Sequence, residues 1–290
     1  MQGRLSLKSG ILYVGRHELT AHVRPYDLDG APLGPGFSFR GPQGEPSALA
    51  GLDVDEDHRI WLADSVLRRV RTFSLFGREV GSWGGSREPR EDARGVLRDV
   101  ADLALVAGEA EPAVIVACGG WRRHAVQVFR PDGRWAASLR PAGDPLGRFH
   151  GVRSVAARGR LAWVCEARAG RVQVFRDGEF HYLFSVPAAG GARFEPVALA
   201  PLASGQLVVA CGGPHSALLL LDAGGRLVRV LAERGAETGR VLEPGDVVAQ
   251  DQEDERARVA VVDRDAERVQ VFELSGRCFG AIEALPGQAL

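Results

Sequence analysis

The chain has 290 residues, 36 basic and 37 acidic side chains, a formal net charge of −1, and 45% apolar against 25% charged residues. That balance excludes an intrinsically disordered chain. The near-zero charge removes any global electrostatic argument for nucleic acid or anionic membranes as partners. No apolar run approaches the roughly 20 residues a membrane-crossing helix needs, so no membrane is expected. The opening stretch, MQGRLSLKSGILYVG, lacks a charged region followed by a sustained apolar core, and a cytoplasmic address is expected. Lys8 is the only lysine and asparagine is absent, so almost every positive charge is a guanidinium, which favours planar, bidentate partners.

In chain order, one phrase recurs: an apolar anchor, an apolar or aromatic residue three positions on, then a glycine. The first unit carries it as Val23, Tyr26 and Gly30, the second as Val70, Phe73 and Gly77, the third as Val126, Phe129 and Gly133. It returns as Val172, Phe175 and Gly178, as Leu218, Leu221 and Gly225, and as Val269, Phe272 and Gly276. The anchors are separated by 47, 56, 46, 46 and 51 residues, a mean of about 49. A period in this range marks an array of identical supersecondary units.

Each unit reads as four short strands. In the second unit the alternation predicts strands near 49–54, 59–63, 69–75 and 79–83, with Asp, Gly and Pro clusters at the turns. The glycine after each third strand suits a hairpin turn with positive φ. A four-stranded sheet with two apolar faces must bury both against neighbours, so the units are expected to close into a ring. The expected fold is therefore all-β, a six-bladed β-propeller of four-stranded antiparallel blades in one domain. The blades are placed at about 1–41, 42–85, 93–143, 146–190, 192–235 and 239–285. Extra residues fall at 86–95, 108–112 and 250–258. Met1–Lys8 is expected to supply the inner strand of the first blade, with the tail from Glu283 as an alternative clasp across the seam.

The unit Leu52-Asp-Val-Asp-Glu-Asp-His-Arg-Ile-Trp-Leu-Ala-Asp64, followed by Arg69, Val70 and Phe73, resembles the NHL repeat. Gly143-Asp-Pro-Leu-Gly-Arg-Phe149 resembles the glycine-rich connector that precedes such repeats. The resemblance covers most of the chain and is strongest in units two, four and six. It implies a six-bladed propeller that binds partners, commonly protein and in some relatives RNA. RNA binding would need a continuous guanidinium-rich face with exposed aromatics, and acidic residues are interleaved with the arginines here. Some six-bladed relatives are metal-dependent lactonases or lyases. The first type relies on asparagine, which this chain lacks, and the second on histidines from several blades.

Several motifs have structural explanations. Cys118, Cys165 and Cys211 recur at about one repeat's spacing and read as small buried side chains ending second strands, where Asp64 and Asp263 stand in other units. No pair has zinc-site spacing. Asp53, Asp55 and Asp57 mimic a calcium loop but sit in a hairpin turn, and the position calcium loops reserve for Gly is His58. His17-Glu18-x-x-x-His22 has one residue too many for a zinc-hydrolase helix. Trp61, Phe73, Phe129, Trp163, Phe175 and Phe272 sit at repeat positions and read as blade core.

The candidate site follows from the ring. Loops leading into each first strand, and those joining second to third strands, share one face around the central channel. The lead-in segments place Arg98, Asp99, His150, Arg153, Glu195, Glu243 and Asp246 there as candidate ligand-binding residues. No catalytic residue, metal or cofactor is assigned. The expected function is a non-enzymatic, NHL-like propeller scaffold binding a protein or small polar ligand at the channel mouth. The alternative is a metal-dependent, lactonase-like hydrolase or lyase, with Glu195, Glu243, Asp246, Asp99 and His150 as its ligand set.

Overall fold

The computed structural model describes the chain apart from residues 1, 18–19, 86–92, 107–111, 121, 188–193, 251, 253, 255 and 284–290. Most of the extra residues at 86–95 and 108–112, part of those at 250–258, Glu18, and the tail after Glu283 therefore lie outside the described residues.

Six four-stranded antiparallel sheets follow one another, each in simple up-and-down order. The first comprises β1 (Gln2–Lys8), β2 (Ile11–His17), β3 (Ala21–Tyr26) and β4 (Phe37–Phe39). The second comprises β5 (Leu49–Val54), β6 (Ile60–Asp64), β7 (Arg69–Phe73) and β8 (Glu79–Gly84). The third holds β9 (Val100–Val106), β10 (Ala113–Cys118), β11 (Val126–Phe129) and β12 (Trp135–Ser138). The fourth holds β13 (Val152–Arg158), β14 (Leu161–Glu166), β15 (Arg171–Arg176) and β16 (Glu179–Ser185). The fifth holds β17 (Glu195–Pro201), β18 (Leu207–Gly212), β19 (Ala217–Leu221) and β20 (Leu227–Ala232). The sixth holds β21 (Pro244–Ala249), β22 (Arg258–Asp263), β23 (Arg268–Glu273) and β24 (Cys278–Glu283). The fold is a six-bladed β-propeller, and the strands of the second blade fall within two residues of the pattern read from sequence.

Side chains alternate across a strand, and that alternation builds the ring. In β22, Ala260 and Val262 pack with Leu5, Leu12 and Tyr26 of the first blade, while Val259 and Val261 pack with Leu218 and Leu220 of the fifth. Each of the six junctions has its own apolar cluster drawn from two adjacent blades. The seam between the last and first blades is one of them. Among the described residues no strand is exchanged across it: β1 is paired with β2 and belongs wholly to the first sheet. The six aromatic residues read as core are all buried.

All six repeat glycines have positive φ, from 79° at Gly77 to 92° at Gly30. Gly225 shows a second reason for the choice. A Cβ there would lie 2.2 Å from the Phe184 ring of the preceding blade. Gly225→Ala is therefore expected to strain both the turn and the junction, costing about 2 kcal/mol; denaturant unfolding checks this, and an unchanged midpoint would refute it.

The end of the second strand follows a finer rule than the cysteine spacing implied. Asp64, Glu166 and Asp263 each form an ion pair with an arginine in the third strand, Arg71, Arg171 and Arg268 respectively. Their carboxylates accept the amides of residues that lead into the same blade: Ala48 for Asp64, His150 for Glu166, and Leu242 and Glu243 for Asp263. Cys118 and Cys211 hold this slot in the third and fifth blades. Cys165 lies one residue earlier, so Glu166 takes the slot in the fourth. The three thiols are free and buried, and burial pushes each upward, Cys118 to about 11. The position after the anchor grips the incoming linker. Gln127 holds Gly95 and Val96, Gln173 holds Ala142, and Gln270 holds Gly239 and Arg240.

The Asp-rich hairpin is a turn. Asp55 accepts the Asp57 and Arg59 amides at 3.0 and 2.8 Å and the Trp61 indole at 2.9 Å.

Candidate functional site: the channel mouth

The inner strands β1, β5, β9, β13, β17 and β21 line the channel. Five of them begin with a β-bulge, seen as a register shift that skips Ala50, Ala101, Arg153, Val197 and Gly245. A bulge leaves one residue outside the ladder and re-aims its side chain. Four of these five skipped residues, Ala50, Ala101, Arg153 and Val197, line a cavity of about 600 Å³ at the mouth. Arg153 is thus turned into the cavity by the backbone of its own strand.

The fifth bulge position, Gly245, has a different use. A Cβ there would lie 2.2 Å from Arg264 Nε, so the missing side chain makes room for Arg264 to lie over the backbone. Arg264 follows β22, lines the cavity and donates to the Gly245 carbonyl at 3.3 Å. Arg168 passes over Gly151 in the same manner, where a Cβ would meet its Cγ at 2.9 Å. Arg4, from β1, crosses to the third blade and donates to the Ala101 carbonyl at 2.7 Å. Its Nη1 is buried and has no hydrogen-bond partner among the described residues.

Of the residues expected here, Asp99, Arg153 and Glu195 share this cavity. Asp99 pairs with Arg122 at the rim. Glu195 is exposed and forms no ion pair among the described residues. Glu243 stands beside the cavity and accepts the Gly213 amide at 3.2 Å. His150 does not line the cavity; its ring binds Asp144 at 2.7 Å and its amide is held by Glu166. Arg98 also lies off the cavity lining. Asp246 sits deeper, among the residues lining a separate space of about 200 Å³ toward the other end of the channel.

Asp246 belongs to a set of carboxylates that stitch inner strands together. It accepts the Leu5 amide at 2.9 Å across the seam. Asp53 accepts the Leu105 amide at 2.8 Å, and Asp102 the Val155 amide at 3.1 Å. Ser6 donates to Asp53 at 3.0 Å, joining the first blade to the second. Register makes Asp102, not Asp99, the third-blade equivalent of Ser154 and Asp246. The lead-in alignment set Asp99 beside Ser154, three positions early, and so missed Asp102.

Burial raises all three carboxylates, Asp102 to about 7; the charge of Arg4 opposes this at Asp102 and Asp246, and the Leu105 and Val54 amides oppose it at Asp53, while the neighbouring Asp246 raises Asp102 further. A folded pKa above the unfolded one means that the folded state holds the extra proton between about pH 4 and 7, so this contribution falls as pH rises through that window and is flat above it. The stability of Asp102→Asn minus that of wild type is therefore expected to grow from pH 5 to pH 7.5, in thermal melts at matched ionic strength. Parallel profiles for the two proteins would contradict the assignment.

At the mouth the charge balance reverses. Arg264 is pushed below the usual arginine range by burial, then by Arg4 and Arg153. His17, also on the cavity wall, is lowered by burial and then by Arg4. Arg4, Arg168, Arg264 and His17 were missed by the lead-in alignment. A signal existed for three of them: His17, Arg168 and Arg264 lie at or just past second-strand ends, the other half of the same face.

No family model matches the chain, and no curated protein matches it in sequence. The fold is similar to a chain in the crystal structure of a nidogen/laminin complex, with 15% identity, a TM-score of 0.68, and 94% of this chain and 93% of that one covered. It is similar to streptogramin B lyase, with 11% identity, a TM-score of 0.59 and coverage of 98% and 83%. It is also similar to the WD40 propeller domain of Doa1, with 13% identity, a TM-score of 0.57 and coverage of 93% and 78%. At these identities the likeness establishes the architecture alone: the chain is a six-bladed β-propeller.

Proposed function

We propose that the protein is a non-enzymatic, NHL-like propeller that binds a partner, protein or small ligand, at the channel mouth. The observation carrying this reading is the mouth cavity of about 600 Å³, walled by side chains from several blades and edged by Asp99 and Glu195. Rigid strands hold the walls, and short loops supply the chemistry, the usual division of labour in binding scaffolds. The similar nidogen/laminin and Doa1 propellers fit a protein partner in general terms. The lactonase-like alternative needs a converging donor set. Among the described residues no group of three or more His, Cys, Asp or Glu side chains is placed to hold a metal ion, and His150 is engaged by Asp144.

The test compares wild type with Arg153→Glu, a change at an exposed bulge residue. Each is incubated with cell extract, re-isolated, and its bound molecules are identified by native mass spectrometry. A species retained by wild type and lost from Arg153→Glu is expected. Identical retention profiles would count against the mouth as the binding site.

A further inference from the structure

We propose that the channel mouth is a receptor for a small molecule carrying oxyanionic groups, carboxylate or phosphate, at two ends. The proposal rests on the mouth-binding reading above and specifies its ligand. Four guanidinium groups line the cavity, against the carboxylates of Asp99 and Glu195. Asp99 is already engaged by Arg122. Arg153 and Arg168 form no hydrogen bond or ion pair among the described residues, and both are exposed to the cavity.

Arg4 adds an independent observation. Arg4 lines the cavity, and its Nη1 is buried and among the described residues has no hydrogen-bond partner, a costly state for a charged donor. A ligand oxygen supplies the missing acceptor. Positive charge is crowded at the mouth: Arg264 is lowered by burial and then by Arg4 and Arg153, with Asp246 and Glu243 opposing. A bound anion eases that crowding.

The placement of the arginines sets the form of the ligand. Arg264 comes from the sixth blade and Arg153 and Arg168 from the fourth, while Arg4, from the first, reaches over to Ala101 of the third between them. A ligand charged at one end satisfies one wall only. A ligand charged at both ends engages both, and guanidinium forks suit the paired oxygens of carboxylate and phosphate alike.

Titration calorimetry at low ionic strength tests this with citrate, succinate and pyrophosphate as two-ended probes, and with acetate and inorganic phosphate as compact ones. At least one two-ended probe is expected to bind tenfold or more tightly than either compact probe. Citrate or succinate against pyrophosphate tells a carboxylate from a phosphate ligand. The double variant Arg153→Ala/Arg168→Ala, altered only at exposed side chains, is expected to weaken that binding at least tenfold. Arg134→Ala, at an exposed surface arginine paired with Asp132, serves as a control and is expected to leave it unchanged. Equal binding by wild type and the double variant, or no heat from any two-ended probe, overturns the proposal. The retention experiment separates the two levels. A mouth-dependent ligand without anionic groups sinks this inference and leaves the binding reading standing, whereas no mouth-dependent ligand at all sinks both.

Discussion

Arg71→Ala is expected to destabilise the protein by about 3–5 kcal/mol, the range for removing one partner of a buried charged network. Arg71 is 2% exposed, yet its guanidinium is fully engaged. It donates to Glu79 at 2.6 Å, to the Arg40 carbonyl at 2.8 Å and to Ser47 at 3.3 Å, and stands 3.6 Å from Asp64. Its planar group lies 5.0 and 5.4 Å from the ring centres of Phe73 and Phe39. This one side chain ties the linker from the first blade to the strand ends of the second. Its loss leaves Asp64, 1% exposed, without its cation. Arg71→Met tests the cause. Methionine restores volume between the rings but not charge, so it should recover less than half of the loss. A denaturation midpoint for Arg71→Ala within 1 kcal/mol of wild type would show that the network contributes little.

The second large effect concerns the seam. Leu12→Ala is expected to cost about 2–5 kcal/mol. Leu12 is fully buried in the cluster that joins the first and last blades. Leu218, equally buried between the fifth and sixth blades, provides the comparison. Because among the described residues the seam is closed by apolar packing and by the Asp246–Leu5 hydrogen bond, with no exchanged strand, the two substitutions should agree to within about 1 kcal/mol. A much smaller cost at Leu12 would mean that the ring is loosely closed there.

The architecture was legible in the sequence because its cause is local and repeated. Anchor, apolar or aromatic residue and glycine recur in every unit, and each has a physical role seen in every blade: the buried anchors, the buried apolar or aromatic residues three positions on, and the positive-φ glycines. The mouth was less legible. Asp99, Arg153 and Glu195 share the cavity, but Asp246 lies below it and His150 beside it. What sequence periodicity does not reveal is the bulge. An extra residue at the start of an inner strand flips side chains between the ladder and the channel, which is what turns Arg153 into the cavity. Arg4 was hidden for a different reason. Its strand has no bulge, and its role depends on reaching Ala101 some 97 residues away. Arg264 depends on a pair of positions, the arginine and the glycine that gives it room.

The uninterrupted make-up of each blade has a consequence for ancestry and engineering. Every sector is spun from one continuous segment, and every boundary, including that between last and first, is sealed by the same kind of greasy contact. Among the described residues no interlocked clasp fixes how many sectors the wheel must hold. Whole repeats can therefore be duplicated, lost or transplanted as modules without unpicking a neighbour, and the circle can be cut open at any of its joints without severing a sheet.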